Sequence, residues 1–475
     1  MSLHADTAHK RSALLVGVLD TMPIGAWQIV LVVTLLAAII LDGYDVKLLS
    51  YAAPLILAEW NLTQSAFAPA LAAAVVGMAI GASTGGWIGD RRGRKEVLVC
   101  SVILFGTTTV ASGFAPDATW MTILRFIGGL GFGGVVPNAY ALVAEWLPRR
   151  LQSRVIALMS VGSPLGGMVG AGVTLFLLPN YGWRGCFVIA GATTALLGLF
   201  MLLWLPESPT FSLLKGRTER VSRDWRKIMG KRELKLDLAG IAIPTDQEPE
   251  RVRKTIFERQ FLRLNIGVML VAFFSPFAIY VFGSWMPVIL TTAGLHINEA
   301  IQGSFALNLC AVLCGLASGE LVRHFGSRTA YVFWAVMMLI SLAGIAFLVT
   351  SGQAATGGSG KTLLMAALGG YGGGGGGLIS VLASNLTAAY PPDRRATGIG
   401  YGSTWGRIGM IAAAMAGGNL LTSKTQDPTP VFIVAGGALL IVMISAFVIN
   451  RHLIGSRGLT GSPAGRAIDG YVAAN

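Results

Sequence analysis

The chain has 475 residues, 53% of them hydrophobic and 12% charged. A soluble domain carries about 25% charged residues, so the composition excludes a soluble globular protein and points to one embedded in a membrane. A net charge of +13 is also compatible with nucleic-acid binding, but its distribution along the chain argues against that.

Residues 1–27 read as a cytoplasmic lead-in with a short interfacial helix over 13–19. Lys10-Arg11 is followed by a mixed stretch containing Asp20 and Pro23, which does not fit a cleavable leader. Twelve apolar segments follow, at about 28–57, 66–89, 97–115, 119–147, 153–178, 186–205, 264–292, 299–322, 329–350, 362–390, 396–422 and 429–450. Each is long enough to cross a bilayer as a helix. One long polar interruption, 206–263, divides them six and six. The expected fold is all-α: two six-helix bundles at 28–205 and 264–450, a cytoplasmic central loop at 206–263 and a cytoplasmic tail at 451–475. The 62 glycines fall mostly within the apolar runs, where small residues let helices approach closely. Cys100, Cys186, Cys310 and Cys314 show neither metal-ligand spacing nor a disulfide framework. No metal or cofactor is expected, and Cys310 and Cys314, on one helix face, read as packing residues.

Orientation follows from lysine and arginine. With the N-terminus inside, 30 of the 36 basic residues fall in inside segments. Three (Arg184, Lys361 and Lys424) fall outside, and three (Lys47, Arg125 and Arg407) lie within spans. Cytoplasmic segments carry such an excess, so both termini are expected inside. The positive charge is topological and leaves no role for nucleic acid.

The first span holds Leu41-Asp42-Gly43-Tyr44-Asp45-Val46-Lys47, three charges inside an otherwise apolar run. Each costs about 2.5–3.5 kcal/mol at a helix centre on insertion scales. Such groups mark a proton or substrate site, or else a neutralised pair that holds helices together. Asp45 lies one turn beyond Asp42 on the same face. At about 1.5 Å per residue, Asp42 and Arg407 of the eleventh span both fall near mid-depth, in opposite halves, as a shared cavity requires. Arg125 falls in the outer third of the fourth span.

The second span ends in Gly86-Trp-Ile-Gly89-Asp90-Arg91-Arg92-Gly93-Arg94-Lys95, and the eighth in a degenerate copy, Gly319-Glu320-Leu-Val-Arg323-His324-Phe-Gly326-Ser-Arg328. Glycines 77, 81, 85 and 89 form a ladder for close packing, after which Asp90 is positioned to meet the positive N-terminal end of another helix. This loop resembles the signature of the major facilitator superfamily, where it holds the two halves together on the cytoplasmic side in one state. The resemblance implies a cytoplasmic gate of Gly86, Asp90, Arg91, Gly93, Arg94, Glu145 and Arg154.

Asp42-Gly43-Tyr44-Asp45 with Ala53-Pro54-Leu55 is similar to the first helix of the aromatic acid:proton symporter family. Arg125-Phe-Ile-Gly-Gly-Leu-Gly-Phe-Gly-Gly, Glu145-Trp-Leu-Pro148, Gly182-Trp183-Arg184 and Leu205-Pro206-Glu207-Ser208-Pro209 fit its later spans. Three positions depart from the family pattern: Ser50 for glycine, Gln152 for arginine, and the charge at Lys47. The resemblance implies a secondary transporter of the bacterial inner membrane, functional as a monomer, that imports a small aromatic carboxylate with protons. Another organic anion, a dicarboxylate or sugar acid, and a substrate sensor without transport are the alternatives. No nucleotide-binding loop and no catalytic cluster is present, so neither ATP-driven transport nor an enzyme is expected.

Within that reading, Arg407 binds the substrate carboxylate, since its fork suits a carboxylate. Asp42 or Asp45 carries the coupling proton, and Arg125 pairs with an acid such as Asp45. Lys47 either neutralises one of the acids or serves as a second anion ligand. Tyr44, Tyr280, Trp285 and Trp405 line a planar substrate or simply pack, and Asn385 needs a polar partner. Ser275-Pro276 and Met286-Pro287 are expected to bend the seventh span, because proline removes a backbone donor.

Overall fold

The computed structural model describes residues 24–215, 256–354, 358–391, 394–421 and 427–449, with Asp20 and a few positions between 219 and 225. The expected interfacial helix, most of the central loop and the tail lie outside the described residues. Every regular element described is helical: α1 (Ala26–Trp60), α2 (Gln64–Arg92), α3 (Arg94–Ser112), α4 (Ala118–Trp146), α5 (Arg149–Ser160), α6 (Gly162–Trp204), α7 (Pro209–Leu214), α8 (Leu262–Gly283), α9 (Met286–Thr292), α10 (Ile297–Thr350), α11 (Ser359–Ala389), α12 (Arg395–Leu421) and α13 (Thr429–Val448).

Among the described residues eight helical stretches are long and apolar enough to cross a membrane. Two of these, the 43-residue α6 and the 54-residue α10, far exceed the ~20 residues one crossing needs. Each is two helices joined at a glycine in the left-handed region, Gly182 (φ 62°) in α6 and Gly326 (φ 83°) in α10. A side chain at either position would be strained. The glycine-rich helices α11 and α12 are less apolar and complete the expected twelve. The seventh span breaks between α8 and α9 at Ser284–Trp285, just ahead of Pro287 in the first turn of α9.

Packing divides the chain into two compact units, one of 1–45, 73–166 and 181–251, the other of 46–72, 167–180 and 252–475, as far as these are described. In the first unit the glycine ladder does what its spacing predicts. A Cβ on Gly85 would stand 2.6 Å from the Gly134 Cα, and side chains at Gly77 and Gly81 would strike the α4 backbone. Gly86 faces open space. Trp27 stacks on Trp204, with ring centroids 5.1 Å apart, and meets Trp146 edge-on at 5.9 Å. Arg184 donates to the carbonyls of Gly113 (3.2 Å) and Ala115 (3.1 Å), tying the turn after Gly182 to the end of α3.

In the second unit α10 and α11 pack through small residues. Side chains at Gly369 and Gly373 would lie 3.0 and 2.8 Å from the sulfurs of Cys310 and Cys314, both free thiols, so these cysteines are packing residues as expected. Trp334 donates to the Ser318 hydroxyl (3.0 Å), which donates to the Gly377 carbonyl (3.2 Å).

Candidate functional site

Gly43, between the two acids of α1, lets α1 and α6 cross with their backbones in contact. A Cβ there would stand 2.6 Å from the Ser163 Cα, and one on Gly166 would stand 2.9 Å from the Gly43 Cα. The flanking acids are therefore fixed by a backbone crossing. Their surroundings differ. Asp45 is 7% exposed and Arg125 3%. Arg125 Nη1 donates to Asp45 Oδ2 at 2.7 Å, and the Thr109 hydroxyl donates to Asp45 Oδ1 at 2.9 Å. Arg125 Nη2 donates to the hydroxyls of Thr109 (3.3 Å) and Ser112 (3.1 Å), and the guanidinium lies 5.2 Å from the Phe187 ring centre. This is the acid partner expected for Arg125. Thr109 and Ser112 of α3 complete it, and nothing in their local sequence singles them out. Asp42 is 1% exposed. Its Oδ1 has no hydrogen-bond partner, and no cation stands within ion-pair distance of it among the described residues. Tyr44 of the same helix is also buried.

In the second unit, Lys47 Nζ sits 5.1 Å from the centre of the Tyr280 ring of α8. Arg407 is half-buried on α12. It lies between Gly406 and Gly409, where α12 meets α8 so closely that a Cβ on Gly409 would strike the Phe273 backbone. Trp405 is half-buried, its ring edge-on to Tyr401 at 6.4 Å. Trp285 is fully buried, donates to the Ala414 carbonyl at 3.0 Å and fills the space over Gly417; its ring is a packing residue here. Asn385 is buried and accepts from the Ser327 hydroxyl at 3.3 Å, within the contact of α10 and α11.

The loop signature forms a polar cluster in the first unit. Arg94 stands 2.8 Å from Asp90 and 3.3 Å from Glu145. Glu145 accepts from the Ser208 hydroxyl (2.5 Å) and the Thr210 amide (3.1 Å). Glu207 accepts from the amides of Lys95 (3.0 Å) and Ser208 (2.8 Å). Gly93 turns the chain at φ 117°, where a side chain would also meet Glu207 and Phe211. The cation meeting Asp90 is thus the Arg94 side chain. Arg91 lies over Trp87, 3.8 Å from its ring centre, and Arg154 is exposed, outside this cluster. Gln152, where arginine was the expected residue, donates to the carbonyls of Ala144 (2.7 Å) and Leu147 (2.9 Å) and so closes the end of α4. Glu207 and Ser208, part of the Leu205–Pro209 motif matched above to a later span, thus join the cluster of the loop signature. Their signal was Ser-Pro, an N-cap before a first-turn proline, and Ser208 does cap α7.

A family model of the Major Facilitator Superfamily matches residues 35–372. The chain is 29% identical over 398 residues to the 4-hydroxybenzoate transporter PcaK of Pseudomonas putida, with 83% of this chain and 86% of that one aligned. It is 30% identical over 402 residues to the benzoate transport protein of Acinetobacter baylyi, with 83% and 84% aligned. Among solved structures, the inward-open xylose transporter XylE from E. coli superposes with a TM-score of 0.70 at 17% identity, over 90% of this chain and 97% of that one. That likeness concerns the fold. The chain belongs to the Major Facilitator Superfamily and, within it, to the aromatic acid:proton symporter family.

Proposed function

We propose that this protein imports a small aromatic carboxylate together with protons by alternating access, in a bacterial inner membrane, as a monomer with both termini cytoplasmic and six-helix bundles at 28–205 and 264–450. Asp42 carries the coupling proton and Arg407 takes the substrate carboxylate. The observation that carries this reading is the contrast between the two acids of α1. Asp45 is held by Arg125, whereas Asp42 is buried and, among the described residues, no cation stands within ion-pair distance of it. An unpaired charge in such a place is expensive, and a carboxyl there is at ease when it holds a proton. Asp42 is thus the group that can load and release one.

The test is purified protein in liposomes under a proton gradient. Labelled 4-hydroxybenzoate or a related aromatic acid accumulates, and Asp42→Asn abolishes gradient-driven accumulation while leaving exchange of internal for external substrate. Accumulation of a sugar with no aromatic acid taken up refutes the substrate assignment. Undiminished driven uptake by Asp42→Asn refutes the proton role.

A further inference from the structure

Three charged side chains lie within the first span, and Asp42 and Asp45 have the places described above. Lys47 has none. Among the described residues no carboxylate stands within ion-pair distance of its ammonium, whose recorded contact is the Tyr280 ring at 5.1 Å. The acids of its own helix do not neutralise it. Both oxygens of Asp45 are engaged by Arg125 and Thr109. At about 100° per residue, Lys47 is turned roughly 140° from Asp42 and 200° from Asp45. Lys47 is half-buried, and its stem does not reach the end of its own helix. It stands thirteen residues before the end of α1 at Trp60, about 20 Å of rise, well beyond a lysine stem.

The charges of its packing unit sharpen the point. The described acids of that unit are Glu59, Glu258, Glu299, Glu320 and Asp427. Glu59 is the penultimate residue of α1. Glu299 is engaged by Lys361, Glu258 by Arg394, Glu320 by Arg323 and His324, and Asp427 by Thr429 at the start of α13. Among the described residues, the apolar middle of the unit therefore holds two cations, Lys47 and Arg407, and no acid. A loaded carrier with its proton on Asp42 and one carboxylate at Arg407 keeps a positive charge at Lys47. A second carboxylate on the same substrate removes it. An ammonium over an aromatic face suits this role, because the ring steadies the cation without neutralising it and offers a surface along which a planar substrate can lie.

We propose that Lys47, set over Tyr280, is a second anion subsite of the transport site, and that the preferred substrates are aromatic acids bearing two carboxylates on one ring. This rests on the proposed aromatic-acid uptake and names the substrate class within it.

The experiment uses the full chain in liposomes under a proton gradient, with labelled benzoate and labelled benzene-1,2-, 1,3- and 1,4-dicarboxylate as probes. One of the dicarboxylates is taken up with a kcat/KM at least about tenfold above that of benzoate, and unlabelled dicarboxylate suppresses benzoate uptake at the lower concentration. Lys47→Ala shifts the ratio of the two efficiencies toward benzoate by about tenfold or more, and Lys47→Arg, which keeps the cation, retains most of the preference. Benzoate uptake with no preference for any dicarboxylate in the unaltered protein overturns this proposal alone, and so does an unchanged ratio in a folded Lys47→Ala. If neither kind of acid accumulates, aromatic-acid uptake itself is refuted. The competition measurement needs no variant, so a misfolded Lys47→Ala does not protect the idea.

Discussion

Asp42 and Asp45 lie three residues apart on one helix and are expected to fail in opposite ways when neutralised. Asp45 is one corner of a buried cluster with Arg125, Thr109 and Ser112. Asp45→Asn leaves the Arg125 guanidinium, 3% exposed, without its counter-charge. Removing one partner of a buried pair costs about 3–5 kcal/mol. Asp42→Asn strands no cation, since none is paired with Asp42 among the described residues, and its effect on stability is expected to stay within about 1 kcal/mol. Thermal melting of the two variants in detergent separates these expectations. Asp45→Asn melts well below the unaltered protein, and adding Arg125→Gln restores part of the loss. Asp42→Asn melts close to the unaltered protein although its driven uptake is lost. Equal melting of the two single variants refutes the assignment of Arg125 to Asp45.

Between helices, the contact of α2 with α4 shows which glycines matter. Gly85 and Gly86 are neighbours in the same signature, yet a Cβ on Gly85 would press on the Gly134 Cα and one on Gly86 would meet nothing within 4 Å. Gly85→Ala forces two backbones apart and is expected to destabilise by about 1–3 kcal/mol. Gly86→Ala meets no such resistance and gains up to about 1 kcal/mol of helix propensity. Melting curves of the pair check this; a larger loss from Gly86→Ala contradicts the packing. The ladder at 77, 81, 85 and 89 was legible in the sequence because a period of four on a helix is a local property. So were the twelve spans, whose apolar runs need no partner to be recognised, and the break before Pro287. What the sequence left open depends on distant partners. Glu207 meets Lys95 and Ser208 meets Glu145 across 112 and 63 residues of chain. Asp45 was the acid expected for Arg125, but that Thr109 and Ser112 complete the pair was not legible, because it depends on the register of α3 and α4 against α1. For Trp285 the sequence left both a ligand and a packing role open, with packing the commoner one for such an aromatic; Gly417 and Gly418, which receive its ring, make it a packing residue.

At the scale of the molecule, the sequence repeat divides the chain into halves at the central loop, but packing groups it otherwise. Segments 46–72 and 167–180 of the first half cluster with 252–475. Within that unit a side chain on Gly418, near the end of α12, would lie 2.6 Å from the Ala68 Cβ and 2.9 Å from the Gln64 carbonyl. One on Gly167 would lie 2.7 Å from the Asn308 side-chain oxygen. In the proposed orientation the first of these contacts lies at the outer ends of the second and eleventh spans, and the other joins the fifth and eighth spans. Alternating access by rocking of the two repeats then requires them to part once in every cycle. A covalent link across one of them is expected to stop transport without unfolding the protein. Ala68→Cys with Gly418→Cys, in a background lacking the exposed Cys100, brings two β-carbons within reach of a disulfide after a small adjustment. Oxidation is expected to lower uptake into liposomes by at least about tenfold, and a reductant to restore it, with neither single cysteine responding. Full uptake by protein shown to be cross-linked means that this end of the molecule stays closed throughout the cycle, and rocking about the sequence repeats fails as the mechanism.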